Sequence, residues 1–124
     1  AEYFGTLAYE SLVEEVYTTP KAGLVDRNNN GSHRDMNIAL FEKSAKALKP
    51  YFCRCFEIGA KTQNLSCDNA FKALRKAGIE AEKIMFEATG GVNTHKGAIF
   101  CFGVLCGAVG RLWSAEKTDY CNYV

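Results

Sequence analysis

The residues most able to do chemistry sit in two polar stretches. The first, Thr89-Gly-Gly-Val-Asn-Thr-His-Lys-Gly97, precedes a long apolar segment. Gly90 and Gly91 permit positive φ and close backbone approach to a ligand. Asn93 or Thr94 can cap the helix that follows, because a side-chain oxygen there satisfies an otherwise orphaned N–H. Unpaired N–H groups, the positive end of the helix dipole and Lys96 then face one spot, which suits a phosphate. The stretch is not a Walker A loop: no glycine directly precedes Lys96, and Gly97 stands where Ser or Thr would bind magnesium. A plain capped turn between helices is the competing reading, but such a turn needs neither His95 nor Lys96.

The second stretch, Thr19-Pro-Lys-Ala-Gly-Leu-Val-Asp-Arg-Asn-Asn-Asn-Gly-Ser-His-Arg-Asp-Met36, mixes Lys21, Arg27 and Arg34 with Asp26, Asp35 and His33. Two carboxylates can hold magnesium on a polyphosphate, while Lys and Arg neutralise phosphate oxygens. A surface loop with local ion pairs and Asx turns would contain the same residue types.

The elements that must position these stretches read as helices. Phe4, Leu7, Ala8, Leu12 and Val16 recur at helical spacing near residues 2–17, and Pro20 and Gly23 end that run. A second helix is expected from near Asp35 through Leu48, with Asp35 supporting its first turn. Pro50 then kinks it or begins a separate helix through Ile58. A short helix carries Phe71, Leu74 and Ala77 and stops at Gly78, and another runs from Glu80 to Ala88. The last runs from Thr94 to about Ala115, with Gly97, Gly103, Gly107 and Gly110 allowing close helix approach. The fold class is an all-α bundle of about five helices. Residues 1–124 form one helical domain or the N-terminal fragment of a larger all-α one.

Composition is that of a globular domain, with 48% hydrophobic residues in 124. Fifteen basic residues against 14 acidic ones leave a net charge of +1, so bulk charge points to no nucleic acid and no anionic membrane surface. Phosphate binding must therefore be local. The apolar stretch from Gly97 to Gly110 falls short of the roughly 20 residues a bilayer span needs and reads as a buried core helix. Six cysteines (53, 55, 67, 101, 106 and 121) include no CxxC pair, which argues against zinc and against a disulfide framework. Cys101 and Cys106 lie in the apolar run as small hydrophobes, and reduced thiols in the cytoplasm are the expected state. Ala1 begins inside a helical pattern and Val124 carries no stop signal, so both ends read as cut.

Taken in order, TPKAGLVDRNNNGSHRDM and ATGGVNTHKGAIF, with Pro50-Tyr-Phe52, Leu74-Arg75 and Gly78-Ile-Glu-Ala-Glu82 between them, resemble the triphosphoribosyl-dephospho-CoA synthase family. Its members serve citrate lyase or malonate decarboxylase maturation. The resemblance implies an all-α enzyme that keeps the triphosphate and ribose of ATP and expels adenine. It joins the anomeric carbon to a ribose hydroxyl of dephospho-CoA. Family members typically carry proline where this chain has Ala22, and they continue with further helices, so the chain reads as an N-terminal portion.

The resemblance assigns work to both stretches. Lys21, Arg27, Lys96 and the turn from Gly90 and Gly91 through Asn93 and Thr94 would clamp phosphates, with Mg2+ on Asp26 or Asp35. His33, His95 and Asp35 are the candidate proton-transfer groups, because glycosyl transfer develops charge on the sugar while protons move to and from the exchanging groups. Asn29, with its neighbours Asn28 and Asn30, and Arg34 would contact either nucleotide. Tyr51, Phe52, Phe56 and Trp113 can stack on adenine, although core packing is the simpler role. Two other functions use the same residues: a magnesium-dependent nucleotide hydrolase, and a nucleotide-binding helical module without catalysis. Should absent helices normally cover the last helix, its bare apolar face would favour self-association.

Overall fold

The computed structural model describes residues 1–18 and 37–122, and side chains as far as Trp113. Four helices account for nearly all of it: α1 (Glu2–Tyr17), α2 (Ile38–Lys61), α3 (Cys67–Thr89) and α4 (Lys96–Asn122). No strand occurs among the described residues.

α2 lies at the centre and packs on each of the other three helices, whereas α1 touches α4 only slightly. Its inner stripe explains why. Ala45, Leu48, Tyr51, Phe52, Cys55 and Phe56 follow one another at three- and four-residue spacing and are all buried. Ala8 and Leu12 of α1, Ala77, Ala81 and Met85 of α3, and Ile99 and Cys106 of α4 complete the core. Tyr51, Phe52 and Phe56 are therefore core residues. Trp113 is not: it is 47% exposed and meets the edge of Phe4 at 6.2 Å.

The expected count of five helices is corrected to four. Pro50 neither ends nor divides α2, which runs unbroken for 24 residues. A proline inside a helix costs about 3 kcal/mol, but burying several large side chains on either side of it contributes about 1.5–3 kcal/mol each and outweighs that cost. Gly78 likewise fails to stop α3, because Ala77, Ala81 and Met85 continue one buried face across it. The start of α2 also moves. Asn37 is the cap, its Oδ1 accepting from Leu40 N at 2.8 Å, and Asp35 lies outside the described residues.

The α2–α4 crossing is built on glycines. A Cβ added to Gly59 would lie 1.9 Å from the Gly107 carbonyl oxygen, and one added to Gly110 would lie 2.0 Å from that of Phe56. Backbone meets backbone there, so the close approach expected of Gly107 and Gly110 is what the fold does; Gly103 packs closely on Tyr51, whereas Gly97 packs on nothing. α4 is nonetheless not the buried core helix expected. Only 28% of Lys96–Trp113 is buried, and Phe100, Leu105 and Leu112 are exposed. By length and composition alone that segment could cross a membrane, a test that a core helix of a soluble protein also passes.

Candidate functional site around the α3–α4 turn

Thr89 closes α3 and organises the turn from within. Its hydroxyl donates to Met85 O or to Val92 O and accepts from Val92 N at 3.0 Å. Gly90 takes φ 68° and Gly91 φ 96°, left-handed positions that side chains resist. Gly91 N donates back to Phe86 O at 2.8 Å, which ends the helix. Asn93 then starts α4, its Oδ1 accepting from Lys96 N at 3.2 Å. Of the two caps the sequence offered, Asn93 is the one used.

Thr94 and His95 turn inward instead. The Thr94 hydroxyl donates to Ser44 Oγ at 2.6 Å, and Ser44 Oγ lies 2.8 Å from His95 Nδ1. The His95 N–H donates to the Met85 sulfur at 3.1 Å, and the Phe41 ring meets the imidazole edge-on at 5.2 Å. Burial holds the His95 pKa down to about 4, with the nearby Glu15 carboxylate pulling weakly the other way. The imidazole is therefore neutral at pH 7, and its geometry is that of a peg fastening the turn to α2.

Lys96 points the opposite way. Its side chain is 65% exposed and its ammonium pairs with Glu82 at 3.4 Å. Such a pair contributes little and can open at small cost. Beside it, Gly97 has nothing within 4 Å of a notional Cβ and no positive φ. Neither packing nor backbone conformation calls for glycine there, and it costs about 1 kcal/mol against Ala in a helix. What it provides is bare, accessible backbone in the first turn of α4, where N–H groups lack helical partners.

Gly90, Gly91, Asn93, Thr94, His95 and Lys96 thus form one turn at one end of the bundle. Lys21, Asp26, Arg27, Asn29, His33, Arg34 and Asp35 lie outside the described residues. Their flanks do not. Tyr17, at the end of α1, hydrogen-bonds Glu42 in the first turns of α2, and that carboxylate raises the Tyr17 pKa. Phe41 and Ser44, next along α2, contact His95. The close of α1 and the opening turns of α2 therefore lie at the end of the bundle that carries the turn. Among the described residues no group of three or more His, Cys, Asp or Glu could hold a metal ion.

Ser44 escaped the sequence reading, although a signal existed. It is the polar break in the apolar stripe of α2, fully buried four residues before Leu48. A cleft of about 340 Å³ between α3 and α4 was also missed; Arg75, Glu82 and Lys96 stand among its lining residues.

The model of the CitG family, described as ATP:dephospho-CoA triphosphoribosyl transferase, matches residues 1–123. A 2-(5''-triphosphoribosyl)-3'-dephosphocoenzyme-A synthase of Haemophilus ducreyi is 49% identical over 92% of this chain and 35% of its own length. The Haemophilus influenzae protein CitXG is 51% identical over 94% of the chain and 25% of its own length. A probable synthase of the same name from Albidiferax ferrireducens is 48% identical over 90% and 37%. The chain spans between about a quarter and somewhat over a third of the length of these curated relatives. No solved structure matches it. On the match of nearly its whole length, the chain belongs to the ATP:dephospho-CoA triphosphoribosyl transferase family.

Proposed function

We propose that this chain carries the phosphate-gripping part of an enzyme that moves the 5-triphosphoribosyl group of ATP onto the ribose 2′-hydroxyl of 3′-dephospho-CoA. The bond from the anomeric carbon to adenine breaks, a bond from that carbon to the acceptor oxygen forms, and adenine leaves with the proton the hydroxyl gives up. The observation that carries this reading is the common end of the bundle. α2, which follows the 19–36 segment, meets the 89–97 turn there through Ser44, Thr94 and His95.

In this reading the bare first turn of α4, Lys96 and the backbone from Gly90 to Thr94 receive the triphosphate, joined by Lys21 and Arg27. Mg2+ on Asp26 or Asp35 neutralises charge on the polyphosphate. Asn29 and Arg34 contact the nucleotides. His95, buried and neutral, holds the turn in place, which leaves His33 and Asp35 as the groups for proton transfer.

Alanine at Lys96 or at Asp35 in the full-length protein should lower adenine release from ATP plus dephospho-CoA at least about tenfold, a loss of roughly 1.4 kcal/mol. Near-normal turnover in both variants overturns the assignment. Free phosphate without adenine would identify a hydrolase instead.

A further inference from the structure

The cleft between α3 and α4 opens beside Lys96. Its walls are apolar, with Phe71, Leu74 and Ile79 from α3 facing Ile99, Phe100 and Val104 from α4, and its charged groups are Arg75, Glu82 and Lys96. Phe71 and Phe100 meet edge to face at 6.3 Å. At 1.5 Å per residue, Val104 lies about 12 Å along α4 from Lys96. A volume of about 340 Å³ is in the range of small-molecule pockets.

The glycines mark the same place. Among the described residues, Gly5, Gly59, Gly103, Gly107 and Gly110 are each packed so closely that a Cβ would come within 3 Å of a neighbour, and Gly90 and Gly91 need their positive φ. Gly78 and Gly97 have neither reason. A Cβ at Gly78 would make only ordinary contact, 3.5 Å from the Tyr51 hydroxyl. Gly78 lines the cleft, and Gly97 follows the lining residue Lys96. Gly78 keeps space open within the cleft and Gly97 leaves the backbone beside Lys96 bare, each at a cost in helix stability.

Apolar walls with two aromatic rings, and at one end Lys96, held only by its exposed pair with Glu82, complement a flat apolar body joined to an anionic tail. Resting on the function proposed above, we infer that the α3–α4 cleft seats the adenine ring of an adenosine 5′-phosphate, with its phosphates at Lys96 and the first turn of α4. ATP and dephospho-CoA share that unit, and the test separates them.

Isothermal titration of the full-length protein with ATP, dephospho-CoA and inorganic tripolyphosphate reads the inference directly. Val104→Trp fills the far end of the cleft, and Phe100→Ala removes a wall at a position 61% exposed in this chain. Blocking the cleft should weaken at least one of the two nucleotides about tenfold in Val104→Trp, and loss of an aromatic wall should weaken it at least about threefold in Phe100→Ala, with tripolyphosphate unchanged. The nucleotide that weakens is the occupant. Unchanged affinity for both nucleotides in both variants overturns the inference. The phosphate grip is judged separately: tripolyphosphate binding that Lys96→Gln abolishes supports it, and no tripolyphosphate binding to the unaltered protein refutes it.

Discussion

Ser44 Oγ and His95 Nδ1 lie 2.8 Å apart, 51 positions distant in sequence and both buried. Thr94 donates to the same serine, and the serine hydroxyl can pair with His95 Nδ1 in either imidazole tautomer. This chain of three side chains ties the α3–α4 turn to the central helix.

The pair gives the fold a pH dependence with a definite sign. The folded-state pKa of His95 is about 4 against an ordinary 6.5, so between these values the unfolded chain binds the extra proton. Stability from this group is complete above pH 6.5 and declines as pH falls toward 4, by about 3 kcal/mol in all. Urea denaturation of the protein and of His95→Gln across that range should differ in slope. Parallel curves would mean that His95 titrates normally.

Gly97 and Gly59 should respond oppositely to alanine. Gly97→Ala meets open space and should stabilise by about 0.5–1 kcal/mol while weakening tripolyphosphate or ATP binding. Gly59→Ala drives a methyl into the Gly107 carbonyl and should cost about 1–3 kcal/mol or more. Thermal melts with binding titrations on both variants check the contrast. Unimpaired binding in Gly97→Ala would leave that glycine unexplained.

Arg111 fixes the opposite end of the bundle. Its guanidinium donates to Thr62 O at 2.8 Å and to Leu65 O at 2.6 Å, pinning the α2–α3 connection onto α4. Arg111→Met keeps much of the stem but loses both bonds and should destabilise by about 1–3 kcal/mol. Hydrogen exchange at residues 62–66 should rise selectively; global loosening without that focus would count against the pinning.

The thiols divide by burial. Desolvation pushes Cys55 and Cys106 up to about 11, so neither supplies thiolate at pH 8. Cys67 and Cys101 are exposed. Timed alkylation with mass mapping should label Cys67 and Cys101 well before Cys55 and Cys106. Early labelling of Cys55 would contradict the packing of α2.

What the sequence showed and what it hid have physical reasons. Helical periodicity and the Gly90–Gly91 break are local, and both appear in the fold. Pro50 and Gly78 carry local breaking tendencies that lose to long-range burial, which no local pattern displays. The role of Ser44 depends on a partner 51 residues away. Arg111 looks like any surface cation until the carbonyls of the α2–α3 connection are brought to it. Asn93 was legible as a cap because its target lies three residues on.

The glycine seam between α2 and α4 has a mechanical consequence. Turning α4 about its axis, or sliding it by a single residue, would push side chains into the Gly59 and Phe56 backbone. The helix is thus indexed like a keyed shaft against α2. Any yielding that the proposed ligand requires then falls most cheaply on the bend before α4, around Gly90 and Gly91, or on the lysine side chain itself.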